Sequence, residues 1–351
     1  MSSISSIVPL PDERLANLQT ISLHKLQSCS KSEHRVLLQT CIDDGFFYLD
    51  LTHPDHKPLL GEVDTVFRLS KRLFDYPHDI KNLFDVDAVS EFKVNGYKPK
   101  GRNVVAKNGR ADGFESWVVP RNGVLQISQE SFPHPPEIAT HMASLRRLMA
   151  GLGSAAHTIL DSLSDSLSVP AGRRLEDFQR QEKPSPDILR LLKYHADSDT
   201  SCVPQTPHTD LGSLTFVFAS TPGLQVLPVG KGPAAYDEAD WKYVAPRAGH
   251  AVVNIGDCIS MMTGGLLKSA LHRVGPVAGY SMPERYSLAY LMRPEDQTVL
   301  RPLDSPLIPQ PELGEVLTSG EWIRRKFKAL RGTQDAESLD GILTGGRGVM
   351  T

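Results

Sequence analysis

After Pro186 the chain breaks into a succession of short apolar runs, and this limits its fold more than any other feature. The runs are Ile188–Tyr194, Leu214–Ala219, Leu224–Pro228, Trp241–Val244, Ala251–Ile255 and Tyr286–Leu291. Each has the length of a strand, and Pro, Gly and Asp punctuate the gaps. Six such runs in about 100 residues, with no helical pattern between most of them, predict an antiparallel double sheet or closed jelly roll.

The region ahead of Pro186 reads differently. Residues 20–50 follow the pattern strand, helix, strand, with Ser32 capping the helix and Gly45 ending it before Phe46-Phe47-Tyr48-Leu49. Val63, Val66, Phe67, Leu73 and Phe74 recur at helical spacing, as do Ile138, Met142, Leu145, Leu148, Met149 and Leu152. Residues 91–123, rich in Gly, Asn, Lys and Arg, predict loops and short strands. Helical spacing returns over Glu312–Leu330, with Trp322, Arg325, Lys326 and Ala329 as its stripe. The expected fold class is therefore mainly β with α additions (α+β), in a single domain over 1–351. A helical and strand region runs to about 185, a β core spans about 186–300, and a C-terminal helix and tail occupy about 301–351.

Composition narrows the function classes. Hydrophobic residues make up 40% of the 351 and charged residues 23%, which excludes a mainly disordered chain. The formal net charge of −3 offers no basic excess for a phosphate backbone, so no nucleic acid partner is expected. No apolar run reaches the about 18 residues of a membrane span, and the N-terminus lacks the basic start and apolar stretch of a signal peptide. The expectation is a cytoplasmic protein with no membrane partner. Cys29, Cys41, Cys202 and Cys258 are scattered without CxxC pairing and read as reduced thiols. The GxSxG, GxxxxGK[ST], HExxH and EF-hand signatures are absent. Gly230-Lys231-Gly232-Pro233 reads as a loop, because proline sits where a dinucleotide fingerprint needs a helix start.

Three His-x-Asp triplets remain: His53-Pro54-Asp55, His195-Ala196-Asp197 and His208-Thr209-Asp210. This composition gives about one by chance, so context has to choose. On a strand, residues i and i+2 share a face, so an imidazole and a carboxylate so placed can grip one metal ion. A histidine from another strand completes three donors on one side of an octahedron and leaves the opposite side open, as in 2-His-1-carboxylate iron sites. The first triplet lies in the polar THPDHKP and reads as a surface loop. The second follows the strand-like LRLLKYH and has His250 downstream, but Asp197 falls in the loop-like ADSDTS. The third opens PHTDLGSLTFVF, where Gly212 permits a bend before a strong strand. His272 follows in SALHRVG, and Arg285-Tyr286-Ser287 then opens the strand YSLAYL. Arg285 and Ser287 share one face and make a receptor for a single carboxylate.

With those residues in view, the chain resembles the isopenicillin N synthase-like family of Fe(II)- and 2-oxoglutarate-dependent oxygenases, in the style of its fungal members. The resemblance rests on PHTDLGSLTF, SALHRV and ERYSLAYLMRP, and extends to LRLLKY, VVNIGD and DDGFFYLDL, so it covers most of residues 20–330. It implies a distorted double-stranded β-helix (jelly roll) core with an N-terminal helical region and a C-terminal helix. It implies that His208, Asp210 and His272 hold Fe(II), and that Arg285 and Ser287 hold the distal carboxylate of 2-oxoglutarate, with Tyr194 reaching the same co-substrate. O2 is then the second co-substrate and ascorbate a reductant. Two departures from the plant members stand out. VGPVAGYSMPE lengthens the turn before Arg285, and KYHADS replaces the usual proline-rich run after the tyrosine, which bears on Tyr194 rather than on the metal.

The reaction so implied oxidises a small organic molecule by hydroxylation, desaturation, epoxidation or ring formation, in secondary metabolite biosynthesis. Oxidation is coupled to conversion of 2-oxoglutarate to succinate and carbon dioxide. Tyr97, Phe114, Trp117, Phe218 and Leu291 are the expected substrate-pocket residues. Three other readings stay open on the sequence. One is an isopenicillin N synthase-type oxidase that uses iron and oxygen without 2-oxoglutarate, since an equivalent Arg-x-Ser can hold that substrate's own carboxylate. The others are a non-catalytic jelly-roll binding protein and a zinc hydrolase using the same ligands.

Overall fold

Alternation along the strands sets the architecture. The computed structural model describes residues 10–90, 93–103, 111–128, 131–197, 204–228, 238–312, 314–330, 342 and 344; Cys202 and the Gly230–Ala235 loop lie outside these. Twelve strands form within the described residues: β1 (Thr20–Ser22), β2 (Phe46–Asp50), β3 (Gly96–Lys98), β4 (Phe114–Pro120), β5 (Ile188–Tyr194), β6 (Gln205–His208), β7 (Leu214–Ala219), β8 (Leu224–Val226), β9 (Lys242–Tyr243), β10 (His250–Ile255), β11 (His272–Val274) and β12 (Arg285–Met292). They build an eight-stranded sheet in the order β1-β2-β10-β7-β12-β5-β4-β3 and a four-stranded sheet in the order β6-β11-β8-β9. All pairs are antiparallel except β1 with β2. Two such sheets, with helices on one of them, make the jelly-roll α+β fold. Half of the large sheet comes from strands ahead of residue 186, so that region is built into the β core.

The large sheet has two unlike faces. On its outer face Trp117, Leu191, Phe216, Leu288 and Tyr290 join a core with the helices Lys57–Phe74 and Met142–Ser166. Val66, Leu69, Leu73, Leu145, Leu148 and Leu163 line the helical side, all at most 1% exposed. Each fully buried Leu or Val contributes about 1.5–3 kcal/mol, so this layer carries much of the stability. The inner face meets the small sheet. There Phe46, Tyr48 and Val252 pack on Leu224 and Val226, and Phe114, Leu192 and Tyr194 pack with Val274 and Met282.

Two helix boundaries differ from the sequence reading. The helix Lys31–Asp43 is flanked by Ser30, which leaves Ser32 inside its first turn rather than at the cap. The C-terminal helix runs Ser319–Leu330, starting later than Glu312. Its start is a capping box, in which Thr318 N donates to Glu321 Oε2 at 2.8 Å and Glu321 N donates to Thr318 Oγ1 at 3.3 Å.

Candidate metal and co-substrate site

The small sheet brings the two histidines together. His272 on β11 lies directly across from His208 at the end of β6. Asp210 follows two residues later, where the chain leaves β6. The Nε2 atoms of His208 and His272 each lie 3.8 Å from Asp210 Oδ1. All three donor atoms fall within 4.8 Å of one another.

Neighbours orient each donor. Asn254 Nδ2 on β10 donates to Asp210 Oδ2 at 2.8 Å, which turns Oδ1 toward the imidazoles. His272 Nδ1 lies 3.3 Å from Ala270 O, which favours a proton on Nδ1 and leaves Nε2 as the donor to a metal. Phe46 sets its ring edge-on to His272 at 5.5 Å. Burial alone would raise the Asp210 pKa, but the two imidazoles and hydrogen bonds from Thr215 and Asn254 bring it down to about 2. Two imidazoles and an ionised carboxylate with donor atoms this close together fit ferrous iron.

Two glycines let the loop that carries Asp210 pack. A Cβ on Gly256 would lie 2.3 Å from Gly212 O, and one on Gly212 would lie 2.2 Å from Met292 O. This close approach permits Asp257 N to donate to Asp210 O at 2.7 Å, and Cys258 N to Gly212 O at 2.9 Å. The C-terminal helix reaches the same loop. Lys326, 1% exposed, donates from Nζ to Thr209 Oγ1 at 2.7 Å and pairs with Asp257.

Arg285 and Ser287 lie on the inner face of β12, both at most 3% exposed. Arg285 Nε donates to Thr221 O at 3.1 Å and Nη1 to Ser287 Oγ at 3.1 Å, which fixes the guanidinium plane. Tyr194 is Arg285's cross-strand partner, and the guanidinium sits 5.2 Å from its ring centre. The Tyr194 hydroxyl donates to Gln205 Oε1 at 2.5 Å, and Gln205 Nε2 lies 3.4 Å from His208 Nε2. Burial pushes the Tyr194 phenol up to about 12, so it stays a donor.

The other candidates separate by face. Phe114 and Leu291 are on the inner side, in register with Tyr194 and Thr215 respectively. Tyr97, Trp117 and Phe218 are not; they belong to the helix-facing core, so the structure removes them from the pocket. The reason is period 2: each is one residue out of phase with the inward positions. His195 points to Glu115 Oε1 at 3.1 Å, and His250 lies 3.8 Å from Asp50. They do not meet each other or the triad. Arg273, next to His272, is buried and donates to Gln225 Oε1 at 2.8 Å. The surface triplet also gathers donors: His24, His53 and Asp55 fall within 4.8 Å, but the Asp55 side chain is 68% exposed against 9% for Asp210. Sequence reasoning missed Gln205, Asn254 and Thr215. Asn254 lay within the quoted VVNIGD, where strand phase alone would have turned it inward.

Comparison with known proteins agrees with this architecture. The model of the 2OG-Fe(II) oxygenase superfamily matches residues 181–294. The chain is 32% identical over 331 residues to the 2-oxoglutarate-dependent dioxygenase gloE of Glarea lozoyensis, covering 94% of this chain and 92% of that protein. It is 28% identical to the 2-oxoglutarate-dependent dioxygenase FG08081 of Gibberella zeae, covering 99% and 97%. Among solved structures, a full-length Neurospora crassa protein in complex with alpha-KG superposes with a TM-score of 0.71 at 21% identity, over 92% of this chain and all of that one. The chain belongs to the 2OG-Fe(II) oxygenase superfamily. It is an Fe(II)- and 2-oxoglutarate-dependent dioxygenase, using O2, that acts on a small molecule. No helix among its described residues is long and apolar enough to cross a membrane.

Proposed function

We propose that His208, Asp210 and His272 hold the iron, that Arg285 and Ser287 anchor the far carboxylate of 2-oxoglutarate, and that the substrate is a metabolite of fungal secondary metabolism. The convergence of the three donor atoms, all within 4.8 Å of one another, carries this reading. When bound, the iron would activate O2, with 2-oxoglutarate and the substrate each supplying two electrons. The protein's part is placement. Asn254 holds one Asp210 oxygen so that the other faces the metal. Thr221 O and Ser287 Oγ hold the Arg285 guanidinium with Nη2 left for a carboxylate. Ser287, accepting from Arg285, still has its own hydroxyl proton to donate. Phe46 packs edge-on against His272, and Lys326 ties the C-terminal helix to Thr209 between His208 and Asp210. The fungal relatives, named as 2-oxoglutarate-dependent dioxygenases, support the metabolic setting.

The test is succinate formation by iron-loaded protein with ascorbate present. Dependence on added 2-oxoglutarate supports the reading. Oxygen consumption without 2-oxoglutarate would favour the keto-acid-independent oxidase instead. Activity that survives strict anaerobiosis would favour a zinc hydrolase.

A further inference from the structure

Cations on the inner face of the large sheet mostly have partners. Lys98 Nζ pairs with Asp112 at 2.7 Å, and Arg285 is committed to Thr221, Ser287 and the proposed co-substrate. Arg190 is different. It is on β5, two and four residues before Leu192 and Tyr194, and its cross-strand neighbours are Val118 and Ala289. Its Nε donates to Ser116 Oγ at 3.3 Å, and its guanidinium sits 5.4 Å from the Phe114 ring. Among the described residues no carboxylate lies within 4.0 Å of it. Among those residues, then, both Nη groups are left without a protein partner, in a half-buried position.

The register says where this cation stands. Ala289, opposite Arg190, is two residues from Leu291, whose other neighbour is Thr215, and Thr215 bonds Asp210. Arg190 is thus about 7 Å along the sheet from the row that supports the metal ligand. Arg285 is four residues from Ala289 on the same strand, about 13 Å the other way. By side chain the two guanidiniums flank one ring pair: Arg285 sits 5.2 Å from the Tyr194 ring and Arg190 sits 5.4 Å from the Phe114 ring, with the rings 5.4 Å apart. Burial disfavours charge on Arg190, and the nearby Tyr194, Asp112 and Asp210 only partly offset this. A desolvated, unpaired guanidinium is costly unless an anion meets it.

We propose that Arg190 is a specificity-determining residue that receives a carboxylate of the substrate through its two Nη groups, so that this oxygenase acts on a small organic acid. Phe114, Leu192 and Leu291 line the same face and favour an apolar body behind the acid group. This rests on the oxygenase reading above. The planar fork matches two carboxylate oxygens side by side, which a lysine would not do.

The experiment uses the full chain loaded with Fe(II) and 2-oxoglutarate under anaerobic conditions. Matched pairs are titrated by calorimetry: phenylacetate with phenylacetamide, benzoate with benzamide, and hexanoate with hexanamide. At least one acid is expected to bind about ten- to a hundredfold more tightly than its amide. Arg190→Gln removes that preference and leaves 2-oxoglutarate affinity within about twofold, whereas Arg285→Gln weakens 2-oxoglutarate. Arg190→Lys keeps the charge without the fork and gives an intermediate acid preference, which guards against a glutamine variant that folds poorly. The proposal is overturned if no acid outbinds its amide, or if Arg190→Gln weakens 2-oxoglutarate as much as Arg285→Gln does. Failure of the oxygenase reading looks different, as absent 2-oxoglutarate binding by the unmodified protein.

Discussion

The two faces of the large sheet come from the same strands and share almost nothing else. On β12 the inward residues are Arg285, Ser287, Ala289 and Leu291, while the residues between them, Leu288 and Tyr290, belong to the helix-facing core. On β5, Arg190, Leu192 and Tyr194 face in, and Leu189 and Leu191 face the helices. The outer face is a mainly apolar layer, broken by the Glu115 cluster, and the inner face carries unpaired or half-paired polar groups. A strand buried on both sides thus divides its labour residue by residue. Substitutions should divide the same way, moving stability on one face and ligand affinity on the other.

The largest test of that division removes a metal donor. His208→Ala, Asp210→Ala and His272→Ala should each abolish turnover and lower bound iron, measured as iron per chain after anaerobic reconstitution. His195→Ala should leave iron near the unmodified level, because His195 bonds Glu115 away from the triad. If His195→Ala strips the iron and His208→Ala does not, the triad is misassigned. The opposite face gives the next largest effect. Trp117→Ala empties a position 1% exposed between Phe84 and Tyr97. It should cost about 3–5 kcal/mol of stability in urea unfolding, with 2-oxoglutarate affinity unchanged in the folded fraction. A large loss of co-substrate affinity instead would mean that the outer layer shapes the site.

How much of this was legible in the sequence follows from the same periodicity. All six apolar runs became strands, because a run of alternating or continuous apolar residues has few other ways to bury itself. The triplet at His208 could be chosen over its rivals because strong strands follow both it and His272. What stayed hidden was phase. Tyr97, Trp117 and Phe218 are aromatic and near the right segments, and only the register reveals that they face away. Strands of three or four residues, such as β6 and β11, carry too few positions to declare themselves, yet they hold both histidines. Gln205 and Arg190 were invisible for another reason: polar residues on a strand read as solvent-facing until a second sheet covers them.

A buried carboxylate on the outer face offers a third test. Glu115 accepts from Lys81 at 2.7 Å, from Tyr97 at 2.6 Å and from His195 at 3.1 Å. Burial would raise its pKa, but these three partners hold it down at about 2, beneath the ordinary 4.5. The folded state therefore binds the proton less readily than the unfolded chain. The resulting stability is present above about pH 4.5 and is lost as pH falls toward 2, up to about 3 kcal/mol. Urea unfolding across that range should slope steeply for the unmodified protein and less steeply for Glu115→Gln. Equal slopes would remove Glu115 from the account of acid stability. Because the group is on the structural face, 2-oxoglutarate affinity at neutral pH should not follow it.

The smallest expected effect belongs to the inner face and sharpens the contrast most. Arg285→Gln keeps a polar side chain opposite Tyr194 but removes the charge and the fork. The lost charge-assisted contact is worth about 2 kcal/mol, so the 2-oxoglutarate requirement should rise about thirtyfold. Iron affinity should hardly change, since Arg285 is at the end of the chamber away from Asp210's supports, Thr215 and Asn254. Stability should hold or improve, because a buried guanidinium with no carboxylate partner among the described residues contributes little to folding. Saturation kinetics in 2-oxoglutarate, iron titration and urea unfolding on one preparation separate the three quantities. If the variant unfolds as readily as Trp117→Ala while binding 2-oxoglutarate normally, Arg285 is a structural residue and the inner face is not reserved for ligands.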